Sequence, residues 1–242
     1  MSFSYSSVRT FSECPYKYKL KYIDKLKPKK SIDPSSPLYL GTACHTGIET
    51  RSIEKAIEEY KSNFTYLNPL HEMEIYKLSK VLEVAIKEIP EGDYEYKLEG
   101  PDGFVGYIDE LVPVGDGIYD ILDFKYSNNI SKYKKSGQIH IYQYYFEKLT
   151  GKSIRNISYA FISKLKNPDD IPGVKIVTIP YNQHHVDMFF FNKEKMDGAK
   201  EYEKKPSDYC RNCDYYRYCV SNGQDTAGLE VKEEVEQVSL FG

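Results

Sequence analysis

The sequence predicts an α/β protein, a mixed central sheet flanked by helices. Three observations predict it. The segments GYIDELV and ILDFKYS read as strands, and PVGDGIYD between them carries Gly115-Asp116-Gly117, a hairpin turn signal. A helical stretch from about Lys134 to Leu149 follows the hairpin. Strand-like segments then return near Ile154–Ser163 and Lys175–Ile179.

Taken in order, a first helix follows the serine-rich start, with Ser4 or Ser6 as its cap. The proline-containing loop SIDPSSPLY leads to a helix from about Thr42 to Phe64, and a second runs from about Leu70 to Glu88. Three strands are expected near Tyr94–Glu99, Phe104–Val112 and Ile118–Tyr126. After the helix and strands already named, a last helix is expected from about Asn182 to Glu203.

Composition bounds the rest. The length of 242 residues suits one elaborated domain with a sizeable interior. No apolar run is long enough to span a bilayer, and the N-terminus shows no signal-like apolar region. The expectation is a cytoplasmic protein with reduced thiols and no membrane partner, encoded by a bacterial cell or by a virus. The net charge of −3 hides an uneven distribution. In KYKLKYIDKLKPKK, from Lys17 to Lys30, almost all the charges are positive, and Lys132, Lys134 and Lys135 form a second cluster. Much of the acidity falls after Gly223, in Asp225, Glu230, Glu233, Glu234 and Glu236. A local basic strip matters more for phosphate binding than the sum over the chain. The 24 tyrosines suit base stacking as well as ordinary amphipathic packing.

The strands carry the chemistry. Alternation puts Asp123 and Lys125 on one side of a strand, with Phe124 on the other. Asp109 comes from the neighbouring segment. Two carboxylates and an ammonium at one place suit a hard divalent cation, with the lysine steadying an oxyanion or hydroxide. An exposed edge with scattered charges is the alternative. Upstream, GTACHTGIE places His45 in the first turns of a helix, with Glu49 one turn later on the same face. Downstream, Gln138 and Tyr142 stand at i and i+4.

The order His, Asp, Asp-x-Lys, Gln-x-x-x-Tyr resembles the PD-(D/E)XK nuclease superfamily, and within it the RecB-like exonuclease branch. The resemblance runs from about Ser4 to Cys219. Ile108, not proline, precedes Asp109, as is usual in this branch. It implies a restriction-endonuclease-like core and a metal-dependent DNA nuclease, an exonuclease of replication, recombination or repair. His45, Asp109 and Asp123 would hold Mg²⁺ or Mn²⁺, with the Phe124 carbonyl a further ligand and one ion or two left open. Lys125 would orient or help deprotonate the attacking water, and Gln138 and Tyr142 would position the DNA strand or Lys125. Glu49 reads equally as a support for His45 or as a surface carboxylate paired with Arg51 or Lys55.

CRNCDYYRYC supplies Cys210, Cys213 and Cys219, and Cys14 lies far upstream. One N-terminal and three C-terminal cysteines around a nuclease core resemble the iron–sulfur staple of AddB-type nucleases and of CRISPR-associated RecB-family exonucleases. The resemblance implies a 4Fe–4S cluster, with zinc the alternative for the same thiolates. Cys44 reads as a small buried residue. The expected organisation is a nuclease domain over residues 1–223, its two end segments joined by the cluster, and a disordered acidic tail over 224–242. That tail ends in QVSLFG. Gln237, Leu240 and Phe241 resemble the anchors of the pentapeptide that binds the bacterial sliding clamp, with valine where leucine is usual. A tail folded back on the domain is the alternative. Two other functions remain open at this point: a DNA-end processing or binding subunit of a CRISPR-type or recombination complex, and a zinc-stapled structural protein.

Overall fold

The computed structural model describes residues 2–230. Helix α1 (Tyr5–Glu13) opens with a reciprocal cap: Ser4 Oγ accepts from the Ser7 N–H at 3.2 Å, and Ser7 Oγ accepts from the Ser4 N–H at 2.9 Å. Cys14, in extended conformation, ends α1 and begins α2 (Pro15–Tyr18), which winds on into a π-helical turn, Lys19–Ile23. The helix expected over Thr42–Phe64 is instead two, α3 (Pro37–Glu49) and α4 (Ile53–Lys61). Arg51 breaks it at φ 51°, and Ser52 recaps the chain by accepting from the Lys55 N–H. Pro37 lets α3 start early, because a first-turn residue needs no N–H donor. Helix α5 (Pro69–Glu88) lies close to its expected span.

The strands are β1 (Asp93–Glu99), β2 (Val105–Gly115) and β3 (Ile118–Tyr126), with Gly117 at φ 71° in the turn that the sequence marks. The helix expected from about Lys134 to Leu149 is α7 (Gln138–Thr150), and a short helix that the sequence did not mark, α6 (Ile130–Tyr133), precedes it. Between them the Gly137 N–H donates to Tyr5 Oη at 3.0 Å, a tertiary contact in place of a helical one. Then come β4 (Ser153–Ile162), β5 (Val174–Ile179) and α8 (Gln183–Asp197), which stops at Gly198 rather than near Glu203. A short 3₁₀ turn, Asp208–Asn212, and α9 (Tyr216–Val220) complete the described chain.

The sheet order is β1-β2-β3-β4-β5, antiparallel except for the parallel pair β3/β4, which α7 connects. One core packs α1, α7 and α8 on one sheet face, around Ile108, Ile121, Tyr159 and Phe161. The other packs α3, α4 and α5 on the opposite face, around Leu122, Phe124, Ala160 and Ile162. Gly47 lets α3 approach α5 closely: a Cβ there would lie 2.7 Å from Leu82 Cδ1.

Alternation breaks at one place. Tyr96 and Leu98 pack on the α7 side, whereas Tyr94 packs on the α3–α5 side, although all three share one parity. Across the ladder, Ile108 faces α7 and Val112 faces α5. The reversal falls between the register pairs Tyr94↔Glu110 and Tyr96↔Ile108, where Glu95 lies opposite Asp109 and has φ 48°. A left-handed residue inside a strand re-aims the side chains that follow it.

The two end segments meet at a third, small cluster of Leu20, Tyr215 and Leu229. Backbone bonds from Lys29 N–H to the Gly228 carbonyl and from Glu230 N–H to the Lys27 carbonyl pair the segments, and Tyr215 Oη donates to the Leu26 carbonyl. Packed chain therefore reaches Glu230, past the expected boundary at Gly223; the buried Leu229 is the reason. Gln237, Leu240 and Phe241 lie outside the described residues. Among the described residues, no helix is long and apolar enough to cross a membrane.

Candidate active site

The site forms where α3, β1, β2, β3 and α7 converge. β3 contributes Asp123 and Lys125 from one face, and the Lys125 ammonium meets Asp123 Oδ2 as an ion pair. Asp123 is 1% exposed, and neither of its carboxylate oxygens accepts a regular hydrogen bond. A buried carboxylate so poorly satisfied is expensive unless a cation compensates it. Lys125 supplies part of that charge. Burial works against its ammonium, but Asp123 and then Asp109 outweigh burial and raise its pKa. In this state Lys125 is a cation with no lone pair for a proton.

Asp109, on β2, is tied to β3 through its backbone: Oδ2 accepts from the Phe124 N–H at 2.7 Å. Burial, the Asp123 carboxylate and, more weakly, Glu95 push its pKa well up, against the opposing pull of Lys125 and the Phe124 N–H. His45 arrives from α3. Its Nε2 lies 3.0 Å from the Phe124 carbonyl oxygen, which can only accept, so Nε2 carries the proton. Nδ1 then presents a lone pair toward Asp109 Oδ2, 3.7 Å away. Burial and the nearby Lys125 ammonium lower the His45 pKa, which keeps the ring neutral. A lone pair facing a carboxylate oxygen needs a proton or a metal cation between them.

From α7, Gln138 Nε2 donates to Tyr142 Oη at 2.9 Å. Burial is the main reason the Tyr142 hydroxyl stays protonated, and Asp123 and Asp109 add to it, so Tyr142 shares their environment. Gly106 makes room for it: a Cβ there would lie 2.9 Å from Tyr142 Cε1.

Glu49 does neither of the things expected of it. Arg51 turns away to the Ile86 and Ile89 carbonyls, Tyr94 Oη and Glu91. Glu49 instead lies beside Glu95, and burial with that second carboxylate pushes its pKa up to about 7. Glu95 is the site residue that sequence reasoning missed. Its place opposite Asp109 depends on strand register, which no local pattern displays. Tyr133 and Tyr159 were missed as well; their rings lie 5.6 and 5.9 Å from the Lys125 ammonium.

The donor set suits a hard divalent cation: oxygens from Asp109, Asp123 and the Phe124 carbonyl, plus one imidazole. The buried, unbonded oxygens of Asp123 are the observation that supports the fit. Among the described residues, however, no group of three or more His, Cys, Asp or Glu side chains is arranged to hold a metal ion. Here Asp123 engages Lys125, and His45 engages the Phe124 carbonyl.

The cysteines lie apart from this centre, where the chain ends meet. Cys14 Sγ accepts from the Lys17 N–H at 3.5 Å, and Cys210 Sγ from the Ser207 N–H at 3.3 Å. Burial raises the Cys219 thiol, Lys204 opposes it, and Cys14, Cys213 and Cys210 then raise it further. Cys14, Cys213 and Cys210 thus lie near enough to Cys219 to act on its charge, and all four are free thiols. Among the described residues, they are not arranged as a group that could hold a metal ion. Cys44 is fully buried, and burial pushes its thiol up to about 12.

Comparison with known proteins identifies the family and the fold. The family model of the PD-(D/E)XK nuclease superfamily matches residues 2–220. The crystal structure of a "Putative exonuclease" from Eubacterium rectale is similar over 87% of this chain and 87% of that chain, at 16% identity and a TM-score of 0.59, a likeness of fold. The structure of a protein designated SSO0001 aligns over 89% of this chain and 95% of that one, at 13% identity and a TM-score of 0.32, too low to carry an argument. No curated protein sequence matches the chain.

Proposed function

The chain belongs to the PD-(D/E)XK nuclease superfamily, and from that premise we propose that it is a divalent-metal-dependent deoxyribonuclease that degrades DNA from its ends. The single observation that carries this reading is Asp123: buried, without a regular hydrogen bond, and paired only with Lys125 beside Asp109. Glu110 is as buried and as unpartnered; what marks Asp123 is that its carboxylate stands beside Asp109 and meets the Lys125 ammonium, where a cation and a substrate would be held.

In this reading Asp109, Asp123, His45 and the Phe124 carbonyl hold Mg²⁺ or Mn²⁺. When bound, the ion acidifies water and stabilises negative charge on the phosphorus oxygens. Lys125, an ammonium, donates to a phosphate oxygen and offsets charge as the water oxygen bonds to phosphorus and the ester P–O bond breaks. It orients the water and does not deprotonate it. The attacking water gives up its proton to solvent, and the leaving oxygen takes one from solvent. Gln138 and Tyr142 hold the strand through their amide and hydroxyl, and the exposed Lys132, Lys134 and Lys135 attract the backbone.

The reading extends to a structural 4Fe–4S cluster on Cys14, Cys210, Cys213 and Cys219, with zinc the alternative. It also extends to recruitment by a sliding clamp through Gln237, Leu240 and Phe241. Support for the cluster is the approach of Cys14, Cys213 and Cys210 to Cys219; support for the clamp is the peptide sequence alone. The decisive test incubates the protein with end-labelled single- and double-stranded DNA and Mn²⁺ or Mg²⁺. Mononucleotides released from the first time points support an exonuclease. Internal fragments would make it an endonuclease, and uncut DNA with tight binding would make it a binding subunit.

A further inference from the structure

Lys125 is held by more than its carboxylate. Its ammonium is 5.6 Å from the centre of the Tyr133 ring and 5.9 Å from that of Tyr159. Tyr159 stands on β4 as the register partner of Asp123 in the parallel pair, so it lies beside the carboxylate that Lys125 meets. It is completely buried, so its ring is fixed beside that carboxylate and shielded from water. Tyr133, half-buried at the end of α6, packs against both Tyr159 and Phe161, at 6.3 and 5.9 Å between ring centres. These rings wall one side of the ammonium.

The need for such a wall follows from charge. The ion pair with Asp123 holds Lys125 only while Asp123 is free to accept it. A divalent cation taken up by Asp123 competes with the ammonium and repels it, and a four-carbon stem is flexible enough to swing away. An aromatic face attracts a cation through its quadrupole, most strongly where water is excluded, and does not depend on Asp123. We propose that Tyr133 and Tyr159 are positioning residues for Lys125, their ring faces keeping its ammonium in the site when Asp123 engages a metal ion. The activity consequence rests on the nuclease reading; the placement of Lys125 does not.

The test therefore has two arms. In the first, full-length protein carries ε-¹³C-labelled lysine, and the Lys125 signal is assigned by its loss in Lys125→Arg. The expected signal is displaced from ordinary lysines by ring currents, stays displaced in Tyr133→Phe and moves toward the ordinary position in Tyr133→Ala. Adding Mg²⁺ leaves the wild-type signal displaced. In the second arm, Tyr133→Ala lowers kcat about tenfold with little change in KM for DNA, and Tyr133→Phe restores it. Tyr159→Phe should match wild type in both arms. Tyr133 is partly exposed, so its alanine variant keeps the fold even if Tyr159→Leu does not.

A Lys125 signal unmoved in Tyr133→Ala, or one that Mg²⁺ shifts to the ordinary position in wild type, overturns the proposal. So does a Tyr133→Phe variant as impaired as Tyr133→Ala, which would assign the role to the hydroxyl. A rise in KM with kcat unchanged would make Tyr133 a DNA contact instead. Wild-type protein without nuclease activity would defeat the functional reading alone, because the lysine signal still decides this one.

Discussion

The Phe124 backbone N–H donates to Asp109 Oδ2 at 2.7 Å, which registers the carboxylate of β2 on the strand that carries Asp123 and Lys125. The same residue turns its carbonyl to His45. One residue of β3, through the two peptide units that flank it, thus sets the positions of groups drawn from α3, β2 and β3.

Asp109→Asn keeps an acceptor for the Phe124 N–H and should preserve the fold. It removes the charge a metal ion needs, so activity should fall by at least about a hundredfold. Asp123→Asn and Lys125→Ala should behave likewise, and chelator should silence the wild type. Initial rates on labelled DNA, with thermal melts run alongside, check this. A Lys125→Ala enzyme that cuts at the wild-type rate would remove that residue from the site.

Gly106→Ala should damage the site without touching its chemistry. The new Cβ presses on Tyr142 Cε1 and on the Phe104 ring, at 2.9 and 3.0 Å. Overpacking of this kind destabilises by ~1–3 kcal/mol. We expect a lower melting temperature and, because the Gln138–Tyr142 pair shifts, a lower kcat/KM. An alanine variant indistinguishable from wild type would show that Tyr142 moves freely.

Glu110 gives a prediction about pH. It is completely buried, neither carboxylate oxygen has a partner, and burial raises its pKa from 4.5 to about 8, with Arg51 opposing. The folded state therefore binds this proton more tightly than the unfolded chain does. The stability is fully present below about pH 4.5 and is lost as pH rises toward 8. Glu110→Gln should thus stabilise the protein by a few kcal/mol near pH 8 and by little near pH 4. Denaturant melts at both pH values would show it; an equal effect at both would mean that Glu110 is charged in the fold.

Protein purified without oxygen should carry iron and sulfide. Cys14→Ser, Cys210→Ser, Cys213→Ser and Cys219→Ser should each lower both, together with melting temperature. Cys44→Ser should not. Because Leu20, Tyr215 and Leu229 already join the end segments, the variants should loosen that region more than the sheet. Zinc without iron would identify the other metal.

For the C-terminal peptide, titration of a bacterial sliding clamp with labelled QVSLFG should show modest binding. Substituting Leu240→Ala and Phe241→Ala should abolish it, because the apolar anchors supply most of the contact. Deleting Gln237–Gly242 should leave cleavage of short free oligonucleotides unchanged. No binding at high micromolar clamp would end that reading.

Much of the site was legible because it obeys local periodicity. Alternation along β3 put Asp123 beside Lys125, and helical spacing put Gln138 with Tyr142. The Gly115–Gly117 turn joined β2 to β3. These relations depend on backbone geometry a few residues long, so the sequence by itself determined them. Only the tertiary structure decided the rest. Glu95 reaches the site because its left-handed backbone reverses the faces of β1 and β2 opposite Asp109. Arg51 divides a helix because its side chain is captured by the Ile86 and Ile89 carbonyls. Tyr133 and Tyr159 flank Lys125, and distant cysteines come near Cys219, because the chain packs that way. Strand register, backbone strain and long-range packing are settled by contacts between segments remote in sequence, and a local pattern carries no record of them.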